Sequence, residues 1–384
     1  MKIAHIRDQY LRVSFIYFLL KGFKRHENYL LCREILEEDV IKYPYDKIKV
    51  TNPLFSYFWF FEKAFIRLLG NNNRLINIWF SYYRLIKTIG DVKLIHAHMG
   101  PQGFYALPLV KKIDLPLVVT FYGSDMSDVP KIKGWPENYD KLFARVNGVV
   151  VEGPYMKKKM VELGCPSQKV NVIKIGVPLD HLTFQYRPKY NSSEGLNILM
   201  CSNFYPKKGI IKALNAIKIV IDKGHKLNVK IIGDGPLKKK ILETIFTLEL
   251  TQYVTLLGQK TLNEIYDISK DFHVFLHPSE TAIDGASEGG APTIIIEMQA
   301  LGLPIVATTH ADIPNIIPED NHFLSSEYDA NDLAEKIILI SKAQNWDEIS
   351  IKGRNFVIKE NDSVNCSSQM EDLYDVIIDA YCKK

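Results

Sequence analysis

Ten short apolar, β-branched runs recur along this chain, alternating with segments of helical character: residues 2–6, 94–96, 117–121, 148–151, 170–175, 197–201, 228–232, 254–257, 274–277 and 305–308. Such alternation specifies βαβ units on parallel sheets. At 384 residues the chain exceeds the size at which one hydrophobic core stops growing, so two domains are expected. The alternation pauses once, at residues 179–194, where the sequence turns polar and loses periodicity. That places a linker there, between a first domain over 1–178 and a second over 179–361. In open parallel sheets, ligands bind beyond the carboxyl ends of the strands, so the segments that follow the strands are where chemistry is to be sought.

The segment 277–309 is the richest of these. Pro292 suits a first helical position, Ile294, Ile295, Ile296, Met298 and Leu301 supply an apolar side, and Gly302 supplies a stop. A helix is therefore expected to begin just after Gly289-Gly290. Its free amides, from Gly290 through Ala291 to Thr293, and its positive dipole end would form a seat for a phosphate or diphosphate, which the two glycines let approach closely. Glu288 and Glu297 bracket that seat, and carboxylates there suit the hydroxyls of a sugar and a ribose. Taken alone, a Gly-rich turn before an ordinary core helix explains the same residues equally well.

Two further turns follow strands. Ser202-Asn203-Phe204-Tyr205-Pro206-Lys207-Lys208-Gly209 precedes an amphipathic helix from Ile210 to about Lys223, so Lys208 offers a point charge beside backbone donors. Gly233-Asp234-Gly235-Pro236 opens another helix, and Gly258 closes the next strand.

The run from Glu288 to Glu297 resembles the donor-site signature of the retaining GT-B glycosyltransferases of family 4, in which two glutamates flanking a Gly-rich turn with Pro hold a nucleotide sugar. Here eight residues separate the glutamates, where the usual pattern has seven. The Lys208-Gly209 segment resembles the family's Arg-x-x-x-x-Lys-Gly, whose two cations touch the donor diphosphate. Lys208 matches the lysine, and Asn203 stands in the place of the arginine. Gly233 and Gly258 resemble family turns near the donor, the second by the nucleotide base. In the first domain, His96-Ala97-His98-Met99-Gly100 resembles a His-x-His segment before a glycine; His98 is expected to face the cleft and His96 the opposite side. Thr120-Phe121-Tyr122-Gly123-Ser124-Asp125 resembles Thr-Phe-His-Gly-x-Asp, with Tyr122 replacing the histidine. Tyr122 and Asp125 are then expected on the acceptor side, joined by Ser14 of the family's first loop. An N-cap is the plain alternative for Asp125. The resemblance covers residues 90–330 and implies a GT-B fold: two Rossmann-like domains facing across a cleft, with a last helix near 362–381 crossing back to the first.

Charge is divided unevenly. Residues 1–180 carry 27 Lys/Arg against 17 Asp/Glu, and the remainder 21 against 27. The basic half should meet something anionic. Residues 54–89 are dense in Trp, Tyr, Phe, Lys and Arg with Glu62 as their one acid below residue 90, which suits either an interfacial membrane helix or helices packing aromatics on the first sheet. No nucleic-acid module is recognisable. Cys32, Cys165, Cys201, Cys366 and Cys382 are scattered, with no CxxC and no histidine at ligand spacing, so neither a metal site nor a disulfide framework is expected. A reducing cytosol fits that usage, and the N-terminus lacks the apolar run of a signal peptide.

Together these expectations describe a cytoplasmic, membrane-peripheral enzyme. It would move a hexose from a UDP- or GDP-linked sugar to a hydroxyl of a lipid-linked or oligosaccharide acceptor, with retention and without metal or other cofactor. Lys208, Glu288 and His98 would be the catalytic set. Two alternatives share the fold: a catalytically silent partner, suggested by Asn203 and Tyr122, and a nucleotide-sugar epimerase.

Overall fold

The computed structural model describes residues 1–7, 9–10, 14–32, 34–35, 47–50, 82–188, 190–321 and 323–383. They form two compact units: residues 1–152, 156–176 and 363–384 make the first, and residues 153–155 with 177–362 the second.

The first unit carries a parallel sheet of seven strands. In chain order these are β1 (Lys2–Ile6), β2 (Glu27–Cys32), β3 (Ile48–Val50), β4 (Val92–His98), β5 (Leu117–Thr120), β6 (Gly148–Val151) and β7 (Val170–Val172), hydrogen-bonded in the order β3-β2-β1-β4-β5-β6-β7. Side-chain alternation sorts its residues onto two faces. Ala4, Ile6, Ile95, Ala97, Val119, Val149 and Val151 pack on one side, with Leu109, Tyr139 and Leu142 among their partners. Ile3, Leu30, Leu94, Val118 and Val150 pack on the other, against Ile16 and Leu20 of the helix Ser14–Gly22 and Met370, Tyr374, Ile377 and Ile378 of the last helix, Ser363–Cys382. The last helix is thus part of the first unit.

The second unit carries six parallel strands: β8 (Leu196–Cys201), β9 (Leu227–Ile232), β10 (Val254–Gly258), β11 (Val274–His277), β12 (Ile305–Thr308) and β13 (Leu324–Ser325), in the order β10-β9-β8-β11-β12-β13. Both sheets therefore share one winding. Chain order reverses between β1 and β4 in the first and between β8 and β11 in the second, which marks the topological switch points of two Rossmann-like units.

The expected runs at 2–6, 148–151, 274–277 and 305–308 match their strands residue for residue, and the others differ by one to three residues at an end. Strands β2, β3 and β13 were not expected. β2, Glu-Asn-Tyr-Leu-Leu-Cys, shows no alternation because both its faces are covered, and β13 is two residues long. The aromatic, cationic region falls largely outside the described residues. Residues 82–89 of it form a helix whose Tyr82, Ile86 and Ile89 are buried in the first core. No helix among the described residues is long and apolar enough to cross a membrane.

Candidate functional site

At the switch point of the second unit, the loops leaving β8 and β11 bring two charges together. Lys208 ends a single 3-10 turn, Pro206–Lys208, and Gly209 follows at φ 62°, the left-handed region. A Cβ at Gly209 would lie 1.8 Å from the carbonyl oxygen of Pro278, so only glycine lets the two loops touch. Gly233, at φ 141°, has the same role against the carbonyl of Ser202. These close approaches place the Lys208 ammonium 2.7 Å from Oε1 and 2.9 Å from Oε2 of Glu288.

Among the described residues, the Glu288 carboxylate has two polar neighbours besides Lys208. Ser279 donates its hydroxyl to Oε1 at 2.7 Å, and His277 Nε2 lies 3.9 Å from the same oxygen. The carboxyl is nearly buried, and burial alone would raise its pKa. The Lys208 ammonium, with His277, outweighs that and holds it well below the usual carboxylate range. His277 is fully buried, which lowers its pKa and keeps the ring neutral. The site is thus one cation bridging both oxygens of one anion, at the place where the winding puts a ligand.

The helix below it spans Thr293–Ala300, with Pro292 outside as the N-cap and no side chain capping its amides. The expectation that Pro292 is the first helical residue is corrected by one position: its ψ of 124° is extended. Gly289, Gly290 and Ala291 are buried, Gly289 at φ 81°, while Pro292 and Thr293 are half-buried. Glu297 faces inward beside Tyr266 and Cys201. Burial pushes its pKa up to about 7, against the hydrogen bond from Tyr266. Gly233 donates its amide to the carbonyl of Gly258 at 2.9 Å, so these two turns meet. The side chain of Asn203 is exposed.

The switch point of the first unit is built differently. Its expected residues His98, Tyr122 and Asp125 come together, joined by His5, Asn28 and His96. The expectation that His96 and His98 face opposite sides is wrong. Residues two apart on a strand share a face, and the two rings stack with centroids 4.3 Å apart, both fully buried. His5, from β1, lies against them.

The hydrogen bonds there have one consistent direction. Asn28 donates its amide nitrogen to the carbonyl of His26 at 2.8 Å, so its oxygen faces His5 Nε2, also at 2.8 Å. Burial lowers the pKa of His5 to about 4, so the ring is neutral. With Nε2–H donating to Asn28, His5 Nδ1 accepts from His98 Nε2 at 3.0 Å. His98 Nδ1 then accepts from the Tyr122 hydroxyl at 2.6 Å. The Tyr122 proton is therefore committed to His98, and toward any further partner its oxygen accepts. His96 bonds Tyr374 and Thr120. These three histidines could in principle share an ion, since one nitrogen of each lies within 4.8 Å of the others, although no spacing in the sequence suggested it. All six ring nitrogens already have partners, so an ion would displace hydrogen bonds from every ring.

Asp125 accepts from the amides of Gly100 and Tyr122, each at 2.9 Å. Its carboxylate pins two backbone turns, and burial pushes its pKa up to about 6. It is not an N-cap, since Gly123 occupies that position. Arg7, nearly buried at the end of β1, adds its charge near Tyr122 and Asp125. Ser14 opens the first helix.

Sequence reasoning missed Arg7, His5, His277, Ser279, Ser287, His310 and Glu327. Arg7, Ser279, His310 and Glu327 follow a strand end within two residues and His277 ends a strand, positions that mark them as near a ligand site. His5 lies inside an apolar run and carries no such mark.

Comparison with known proteins places this geometry. Residues 24–181 match the family described as Glycosyltransferase Family 4, and residues 195–342 match Glycosyl transferases group 1. Each unit thus matches one glycosyltransferase family model, and the paired Rossmann-like sheets are those of GT-B glycosyltransferases. It is 30% identical over 249 residues to the putative colanic acid biosynthesis glycosyltransferase WcaL of Escherichia coli K12, covering 64% of this chain and 61% of that one. It is also 30% identical over 257 residues to the amylovoran biosynthesis glycosyltransferase AmsK of Erwinia amylovora, covering 66% and 62%. The chain thus spans about three fifths of the length of these curated relatives. Among solved structures, Anabaena Alr3699/HepE in complex with UDP superposes with a TM-score of 0.74 at 14% identity, over 98% of this chain and all of that one. At that identity the likeness concerns the fold.

Proposed function

We propose that this protein transfers a hexose from a nucleoside-diphosphate sugar to a hydroxyl of a lipid-linked or oligosaccharide acceptor during polysaccharide synthesis. The observation that carries the proposal is the Lys208 ammonium lying across both oxygens of Glu288 at the second switch point. An ammonium there can follow a diphosphate as negative charge grows on it, and a carboxylate already held by Ser279 can grip sugar hydroxyls. The amides from Gly290 to Thr293 would assist with the phosphates, and Glu297 with the ribose. The names of WcaL and AmsK, both polysaccharide biosynthesis glycosyltransferases, and the UDP bound by HepE support this reading.

In the proposed reaction the bond from the anomeric carbon to the β-phosphate oxygen breaks. A bond from the acceptor oxygen forms on the same face, giving retention, and the acceptor proton passes to the leaving phosphate. Tyr122 would take a hydrogen bond from the acceptor side; burial raises its pKa, so it serves as a neutral acceptor and not as a base. No metal is required, because Lys208 supplies the cation. An anionic membrane surface as a further partner rests on the composition of residues 54–89.

Thermal denaturation against UDP-, GDP- and ADP-sugars tests the donor. A donor present at 100 times its dissociation constant stabilises the fold by about 2.7 kcal/mol. Sugar-nucleotide turnover is expected to fall by at least about a hundredfold in Lys208→Ala and Glu288→Gln, measured on protein shown to be folded. A wild-type protein that no sugar nucleotide stabilises, or a UDP-soaked crystal with nucleotide bound elsewhere, would sink the proposal.

A further inference from the structure

Glu288 sits at the end of a loop of more than ten residues leaving β11, and a carboxylate on such a loop needs an anchor. The anchor is a chain of three side chains. The amide of Glu288 itself donates to His310 Nε2 at 3.2 Å. A backbone N–H can only donate, so that nitrogen carries no proton, and the ring proton is on Nδ1. Nδ1 lies 2.9 Å from Oε1 of Glu327, a carboxylate oxygen that accepts it. The Ser287 hydroxyl lies 3.1 Å from the same Nε2 and donates to it, while its oxygen accepts the Gly289 amide at 3.2 Å. The other oxygen of Glu327 accepts the amide of Thr281 at 2.8 Å. One carboxylate thus holds both ends of the loop: Thr281 directly, and Ser287, Glu288 and Gly289 through one imidazole.

The fold accounts for the placement. His310 follows β12 by two residues and is 1% exposed; Ala311 after it adopts φ 47°, turning the chain sharply. Glu327 follows β13 by two residues. The loop tip, where Ile283 is fully exposed, carries turn hydrogen bonds between Ala282 and Ala286, between Gly285 and Ala282, and from the Ala286 amide to Asp284. At the loop base, Lys207 adds a hydrogen bond to the Ser287 carbonyl at 2.9 Å.

We propose that His310 and Glu327 are positioning residues for Glu288: in the Nδ1–H tautomer the imidazole fixes the backbone of Glu288 so that its carboxylate meets Lys208 and the sugar. This inference rests on the reading of Glu288 as the donor-site carboxylate.

Two variants separate the two ends of the ring. His310→Gln brings an amide oxygen near the Nε2 position and can still accept from Glu288 and Ser287. His310→Asn keeps a donor near Glu327 and loses that acceptor. Both remove a buried ring and should lose similar thermal stability. With sugar-nucleotide turnover as readout, His310→Asn is expected to lower kcat at least about tenfold with KM within about twofold, because a small misplacement of a reacting group is costly. His310→Gln should keep kcat within about threefold of wild type. Equal losses in the two variants, or none in either, would overturn the proposal. Imidazole nitrogen NMR of the histidine-labelled wild-type protein gives a test independent of any variant's folding. His310 should show a protonated Nδ1 and a bare Nε2, and the opposite tautomer or an imidazolium would also overturn it. Unchanged turnover in Glu288→Gln would instead remove the functional reading itself, and this inference with it.

Discussion

The two units share one winding and put a cluster of polar side chains at the same topological position, yet the clusters differ in kind. In the first unit His5, His98 and Tyr122 form a neutral, directional chain of hydrogen bonds, with burial holding the imidazoles uncharged. In the second, Lys208 and Glu288 keep full charges next to one another. Topology therefore says where a ligand meets the sheet, and the residues alone say what kind of ligand. A neutral chain suits hydroxyl groups, whereas a diphosphate needs an ammonium and exposed amides.

The largest expected effect comes from breaking the charged cluster. Lys208→Ala should reduce sugar-nucleotide turnover by about 10² to 10³, the range seen when one charge-stabilising donor is lost. It also leaves Glu288 buried without its cation, which should cost about 3–5 kcal/mol of stability by denaturant titration. Full turnover in that variant would end the contrast between the units.

Acidification should separate the units next. His5 titrates near 4 in the fold and near 6.5 when unfolded, and His96 and His98 are lowered as well. Between those values the unfolded chain binds protons that the native one does not, so stability falls as pH drops through that window. Asp125, raised to about 6, works in the opposite direction, but it is one group against three. His5 alone accounts for about 3 kcal/mol by pH 4. Glu288 has a lowered pKa, so its contribution is complete above about 4.5 and is lost only below that. Protection of β4 and β5 against hydrogen exchange, relative to the free-amide rate, should therefore fall between pH 7 and 5. In the second unit buried His277 acts in the same direction and Glu297, raised to about 7, against it, so β8 and β11 should lose less protection, and identical pH profiles would refute the distinction.

A smaller effect tests direction within the neutral chain. Tyr122→Phe removes the proton that His98 Nδ1 accepts and leaves a buried nitrogen without that partner, at a cost of about 1–3 kcal/mol. Affinity for a nucleoside diphosphate should be unchanged. Weakened diphosphate binding would show that the first unit also reads the phosphates.

How much of this was legible from sequence follows from what each feature depends on. Strands such as 148–151 and 274–277 are continuous apolar runs bounded by turns, and local pattern fixes them. β2 lies between its chain neighbours β1 and β3 with both faces covered, so it carries no alternation that would mark it. Lys208 and Glu288 could be named singly, since each adjoins a glycine turn. Their pairing depends on Gly209 passing the Pro278 carbonyl, a contact between segments some seventy residues apart. His310 and Glu327 stand just after strand ends, which marks their position, but their link to Glu288 was hidden for the same reason: a positioning chain is defined by partners distant in sequence. The misplacement of His96 arose from applying the strand period wrongly, not from missing information.

The smallest expected effect concerns Asn203, where the family resemblance expects an arginine. Its side chain is exposed on the loop that leaves β8, the loop that also carries Lys208. Asn203→Arg should therefore add a second cation near the charged cluster without disturbing any buried contact. An exposed guanidinium is screened by solvent, so nucleoside-diphosphate affinity should rise only about two- to fivefold at low salt, and the gain should shrink as ionic strength increases. Titration calorimetry at two salt concentrations measures both quantities. If affinity does not rise at low salt, the diphosphate does not lie within reach of that loop, and Lys208 would have to be read as a structural partner of Glu288 alone.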